Sequence, residues 1–202
     1  MGLTGKNNEE KAWNFLKGKI PNDFGVAGLM GELFAESGLN PQNLQNSYEK
    51  KLGFTDATYT AAVDSGSYAN FVHDSAGYGV AQWTFWSRKE ALLNYVRALG
   101  VSIGDLEAQL GFLYKELSES YPSVLAALKT ATSVRAASDK VLTDFERPAD
   151  QSEAVKIKRA SYGQTYYDKY AKAVASTPSE GGNNMSNSPL VNCTVKSPNH
   201  SG

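Results

Sequence analysis

Sulfur chemistry is almost missing from this chain. Cys193 is the only cysteine among 202 residues, which excludes an internal disulfide and a cysteine-ligated metal cluster. A domain of this size can fold without disulfides, so the shortage does not fix a compartment. His73 and His200 are the only histidines, too few to build a zinc site by themselves. No metal and no cofactor is expected. An excess of either charge is missing too. The 20 Lys and Arg balance 21 Asp and Glu, for a formal charge of -1. Nucleic-acid binding usually demands a basic face, and nothing in this balance calls for one. No apolar run reaches the roughly 20 residues of a membrane-spanning helix, so no membrane partner is expected. Met1 to Glu10 is polar and lacks the basic start and apolar stretch of a signal peptide, so delivery to a target outside the cell would need another route.

What is present is a packable body followed by a change of composition. Hydrophobic residues make up 41% of the chain, enough for one core. Near Ala175 the helical periodicity gives way to Ser176-Thr177-Pro178-Ser179-Glu180-Gly181-Gly182, a linker composition. The division expected is one domain over 1–174, with a flexible tail and the start of a following module over 175–202.

The body reads as mainly α. Helices are expected over about Glu9 to Lys19, from Asn22 to Gly38, over Ser87 to Leu99, Asp105 to Ser118, Tyr121 to Thr130, Ser133 to Phe145 and Ser152 to Lys172. Shorter helices or turns are expected at Asp56 to Asp64 and Tyr68 to Asp74. The second helix has the clearest signals. Asn22 suits an N-cap, Val26, Leu29, Met30, Leu33 and Phe34 follow the i, i+3, i+4, i+7, i+8 series, and Gly38 followed by Pro41 ends it. Strand signals are scarce, with a small hairpin near Gly77 to Thr84 the exception.

Glu36 is the residue on which a function can be hung. At helical spacing it falls beside Leu29 and Leu33, on the rim of the apolar arc, while Glu32 points further away from that arc. A carboxyl at such a rim is partly dehydrated and tends to keep its proton. A protonated carboxyl is what glycosidic cleavage needs as its general acid. The plainer alternative is a helix-end Glu that pairs with Arg or Lys, and spacing alone favours it.

A second element is Gly77-Tyr78-Gly79-Val80-Ala81-Gln82-Trp83-Thr84. Its glycines allow close backbone approach. Gln82 offers a donor and an acceptor to sugar hydroxyls and acetamido groups, and Tyr78 and Trp83 offer flat faces for sugar rings. The alternative is a tight turn whose aromatics fill the core. For Trp86, Tyr162, Tyr166, Tyr167 and Tyr170, core packing is favoured over sugar binding.

Together, Glu36-Ser37-Gly38-Leu39-Asn40-Pro41 at a helix end and Gly77 to Thr84 downstream resemble the phage tail lysozyme family, the lysozyme-like domains of phage tail proteins and endolysins. Arg88 and Phe145-Glu146-Arg147-Pro148 fit the same pattern, and the resemblance spans about Glu9 to Tyr170. More distantly, the chain is similar to goose-type lysozymes and lytic transglycosylases. The resemblance implies a lysozyme-like fold and cleavage of the bond between N-acetylmuramic acid and N-acetylglucosamine in peptidoglycan. Glu36 matches the catalytic acid. Tyr78, Gln82, Trp83, Thr84, Arg88 and Glu146 match the lining of the sugar groove. For the second carboxylate, Asp74 stands first, because an aspartate precedes the glycine segment in goose-type lysozymes. Glu49 stands second, and a lytic transglycosylase that uses no second carboxylate remains open. A virion-associated protein, or one released by lysis, would fit. In the tail, Ser188-Pro189-Leu190-Val191-Asn192 and Ser197-Pro198-Asn199 resemble the opening of a cell-wall amidase module, as though this chain were part of a longer lysin.

Overall fold

The helix that ends at Glu36 is wrapped by other helices, and three glycines explain how. This helix, Asp23–Ser37, is α2, and every residue from Gly25 to Leu33 is buried in the computed structural model, which describes residues 2–172. A helix apolar on all sides belongs inside a core. Gly25, Gly28 and Gly31 recur at i, i+3, i+6. A methyl at Gly25 would lie 2.0 Å from the Leu128 carbonyl oxygen of α7 (Pro122–Lys129). At Gly28 it would lie 2.5 Å from Ala137 of α8 (Val134–Val141), and at Gly31 2.5 Å from the Gly163 nitrogen of α9 (Glu153–Tyr166). The α2–α9 approach is thus glycine against glycine, since a Cβ on Gly163 would meet the Ala27 carbonyl at 2.7 Å.

Gly31→Ala should therefore destabilise the protein although alanine is the better helix former. The backbone it meets cannot rotate away, so the overpacking cost of about 1–3 kcal/mol exceeds the propensity gain of about 1 kcal/mol. Urea unfolding checks this, and a variant as stable as the parent would contradict the close approach.

The ends of α2 are fixed as its sequence requires. The Asn22 side chain accepts from the Gly25 amide at 3.1 Å and donates to the Lys129 and Ala131 carbonyls. Gly38 takes φ 62°, and its amide donates to the Phe34 carbonyl. The remaining helices are α1 (Asn8–Lys17), α3 (Asn46–Leu52), α4 (Asp56–Asp64), α5 (Trp86–Leu99) and α6 (Leu106–Glu119). Aromatics of α9 and its last turn cover α1 and α2 through Phe34–Tyr162 at 4.9 Å, Phe24–Tyr167 at 4.7 Å and Trp13–Tyr170 at 5.3 Å. No helix among the described residues is long and apolar enough to cross a membrane.

The mainly α architecture is as expected, with three departures. Helix α3 was not anticipated, because it buries no residue and lacks a side-chain cap. Tyr68 to Asp74 takes the turn form, one of the two expected there. The hairpin at 77–84 shrinks to one bridge, in which the Tyr78 and Trp83 amides donate to each other's carbonyls at 3.2 and 3.0 Å. The long helices at the C-terminal side each end in a π-helical turn, Leu142–Glu146 after α8 and Tyr167–Ala171 after α9. The linker, the flexible tail and the amidase-like segment, with Cys193 and His200, lie outside the described residues.

Candidate active site

The two sequence elements that carry the resemblance are physically tied. The Ser37 hydroxyl, next to Glu36, donates to the Val80 carbonyl at 2.9 Å. Gly77 is glycine because a Cβ there would sit 2.7 Å from Gln82 Oε1. That space lets the Gly77 amide donate to Gln45 Oε1 at 3.0 Å, while the Gln45 amide donates to the Gly77 carbonyl at 2.8 Å. Gly79, at φ 77°, clears the Gln109 side chain, whose Oε1 accepts from the Val80 amide at 2.9 Å. Gln82 holds φ 45°, an uncommon value for a side-chain-bearing residue that marks a constrained position.

These contacts frame a groove with two adjoining compartments of about 470 and 450 Å³. Glu36, Gln45 and Gln82 line both. Ser37, Asn43 and Asn46 complete the first, and Thr84, Phe85, Arg88 and Glu146 the second. The Glu36 side chain is 19% exposed, enough to meet a ligand while most of it is dehydrated. A larger cleft of about 730 Å³ lies elsewhere, beside Phe15, Tyr95 and Tyr114. Several of its ionic groups are committed to structure, since Lys115 pairs with Glu119, Asp105 caps α6 and Lys19 lies over the Phe15 and Tyr114 rings. Size therefore does not single it out as the reactive site.

Electrostatics distinguish the groove. Arg159 Nη1 donates to Glu36 Oε1 at 2.6 Å and to Glu32 Oε2 at 2.9 Å. Burial opposes the charge on Arg159, but the two carboxylates outweigh it and hold its pKa above the ordinary value. Glu32 is fully buried and also accepts from the Ser138 hydroxyl at 2.6 Å. Burial raises its pKa, against the pull of Ser138 and Arg159. The expectation that Glu32 faces away from the apolar arc is thus corrected. On a helix surrounded on all sides the arc has no outside, and α8 and α9 cover this position.

Across the groove, Arg88 Nε and Nη2 donate to Glu116 at 2.8 and 2.9 Å, and Glu116 also accepts from the Trp83 indole at 2.8 Å. Glu146 ends the π-helical turn before Arg147, which sits at φ 50°. Burial first, and the Glu36 charge second, push its carboxyl well above the ordinary range.

Of the expected site residues, Glu36, Gln82, Thr84, Arg88 and Glu146 converge on the groove. Four others are placed elsewhere. Asp74 is not a free base. Its side chain is fully buried and accepts from Lys89 Nζ at 2.5 Å, Tyr59 Oη at 2.5 Å and the Ala76 amide at 2.9 Å. Tyr78 is fully buried with its hydroxyl on Thr60, and Trp83 is fully buried against Phe112, so neither offers a face to a sugar. Their glycine-bounded turn is tight enough to fold them inward. Gln82 keeps its place, although its Nε2 is spent on Asn43 and the Gly79 carbonyl. Glu49 is half-buried on α3 and lines neither compartment. Trp86, favoured for the core, is 49% exposed, beside Phe85 at 62%.

Sequence reasoning missed Arg159 and Gln45. One signal for Arg159 existed. A glutamate inside an all-apolar helix requires a buried cation, and the last helix offers few candidates facing it.

Comparison with known proteins agrees with the two tied elements and the groove they frame. No curated protein matches the chain. Residues 7–170 match the family described as phage tail lysozyme, which covers α1 through the final π-helical turn. A stretch of that extent, with Glu-Ser-Gly at one wall of a groove and Gly-Tyr-Gly-x-Ala-Gln at its back, is a lysozyme-like cell-wall hydrolase domain, and this chain belongs to the phage tail lysozyme family.

Proposed function

We propose that the protein is an N-acetylmuramidase that hydrolyses the MurNAc–GlcNAc bond of peptidoglycan, with Glu36 as general acid. The observation that carries this reading is that Glu36 is the one carboxyl lining both compartments. A glycan strand laid along the groove passes it on both sides, which brings a glycosidic oxygen to its edge. Glu36 gives that oxygen a proton, the C–O bond breaks toward an oxocarbenium-like state, and water closes the anomeric carbon. Gln45, Gln82, Asn43 and Thr84 supply polar contacts suited to hydroxyl and acetamido groups. The activity fits a protein carried on a virion or released by lysis.

One observation supports a second reading. With Asp74 sealed against Lys89, Glu146 is the remaining carboxyl lining the groove besides Glu36. A lytic transglycosylase needs no carboxylate to activate water, because the muramic acid C6 hydroxyl attacks instead. Mass spectrometry of the products from purified peptidoglycan separates the two. Reducing-end muramic acid is the expected result. Anhydro ends would make the enzyme a transglycosylase, and reducing-end GlcNAc would overturn the bond assignment.

A further inference from the structure

Glu146 is the one carboxyl in the groove left without a partner. Two carboxyls line it, Glu36 from α2 and Glu146 after α8, and two more, Glu32 of α2 and Glu116 of α6, lie buried behind its walls, against two guanidiniums. Arg159 on α9 serves Glu32 and Glu36, and the fork of Arg88 on α5 is filled by Glu116. Glu146 Oε1 is sealed from solvent and has no hydrogen-bond partner among the described residues. The neighbouring charges on its own segment are committed too, Asp144 to Lys140 and Arg147 Nε to the Asp144 carbonyl. Tyr121 of α7 packs edge-on against Phe145 and brings no charge. A sealed carboxyl oxygen with no donor aimed at it favours the neutral form of its group. The backbone that places it there is unusual, a π-helical turn closed by a left-handed arginine, a geometry that recurs at functional positions.

We propose that Glu146, which lines the same compartment as Glu36, holds a proton in the free protein and that the two carboxyls work as one proton-handling pair. This rests on the reading of Glu36 as the general acid. In turnover the proton of the pair passes by way of Glu36 to the leaving oxygen as the C–O bond breaks. The attacking water puts its hydroxyl on the anomeric carbon and returns its second proton to the now doubly ionised pair. The pair ends as it began, with one proton. Glu146 thereby supplies what Asp74 and Glu49 were expected to supply, a group able to accept a proton from water.

The test is Glu146→Gln, with Glu146→Asp and Glu36→Gln beside it, scored by the pH profile of muropeptide release from peptidoglycan. Glutamine keeps the shape but neither ionises nor repels Glu36. The alkaline limb should move acidward, the direction expected when a like charge lining the same compartment is removed. Activity near neutral pH should then fall about tenfold or more, with a smaller loss in mild acid. Glu146→Asp should move the limb back toward the parent. A loss equal at all pH values with the limb in place would mark Glu146 as merely structural and overturn the proposal, as would an unchanged profile. Side-chain carboxyl NMR of the free protein reads the pair without turnover. One raised titration should vanish in Glu146→Gln, and its absence from the parent sinks the proposal whatever the activity. Full activity in Glu36→Gln is a separate result that removes the muramidase reading itself.

Discussion

Asp74→Asn should give a protein that melts far below the parent, with activity lost only as fast as the fold. The carboxylate and Lys89 are both fully buried and joined at 2.5 Å, and Lys89 also donates to the Ala76 carbonyl. Removing one member strands the other. Breaking a buried pair in this way costs about 3–5 kcal/mol. For a domain of this length that is a fall of roughly 10 °C in Tm. Burial already lowers the Lys89 pKa, against the pull of Asp74, and without Asp74 that pull is gone. The sign of the pH dependence follows. In the variant the folded Lys89 pKa lies below its unfolded value, so the unfolded chain binds more protons across that window and stability recovers as pH rises through it. Adding Lys89→Met should restore part of the loss. If Asp74→Asn instead kept its Tm and lost activity, Asp74 would be catalytic after all and the groove would be wrongly placed.

Glu36→Gln should do the opposite, leaving the fold and removing the reaction. Arg159 retains Glu32, and Ser138 still donates to Glu32, so no buried charge is stranded. A change in Tm of only a few degrees is expected. The loss in rate should reach about 10²–10⁴-fold, the usual contribution of a general acid. Binding to intact cell wall should persist, since Gln45, Gln82 and Asn43 are untouched. A wall-binding module without catalysis would show binding and no lysis in both parent and variant.

Much of the fold was legible because α2 and the helices after it announce their ends. Asn22 and Gly38 are capping residues read from type and place, and each occupies the cap expected of it. What periodicity could not reveal was that α2 lies at the centre. A helical wheel assumes one wet side, so Glu32 was assigned to it, whereas the Gly25-Gly28-Gly31 stripe invites neighbours onto that side. The carboxyl at the end of the helix, Glu36, lines the groove and also makes the pairing with an arginine that spacing alone favoured.

The site was legible in its motifs and illegible in its partners. Asp74, Tyr78 and Trp83 sit close in sequence to groove residues, yet alternate inward through a tight turn. Their fate depended on Lys89, Thr60 and Glu116, one turn or several helices away. Arg159 lies 123 residues from Glu36, and no local pattern links them. The position of Glu146 depends on a π-helical turn that its sequence does not announce. These placements rest on tertiary pairings, charge with charge for Asp74 and Glu36 and hydrogen bonds for Tyr78 and Trp83, which spacing within one segment cannot encode.

The central claim is that the groove at Glu36 cleaves the glycan of the cell wall. The most direct test is a time course of soluble muropeptides from purified peptidoglycan, with the parent and Glu36→Gln run side by side at equal folded concentration. Steady release by the parent and essentially none by the variant is the predicted result. Equal release by both, or no release by the parent, would contradict it.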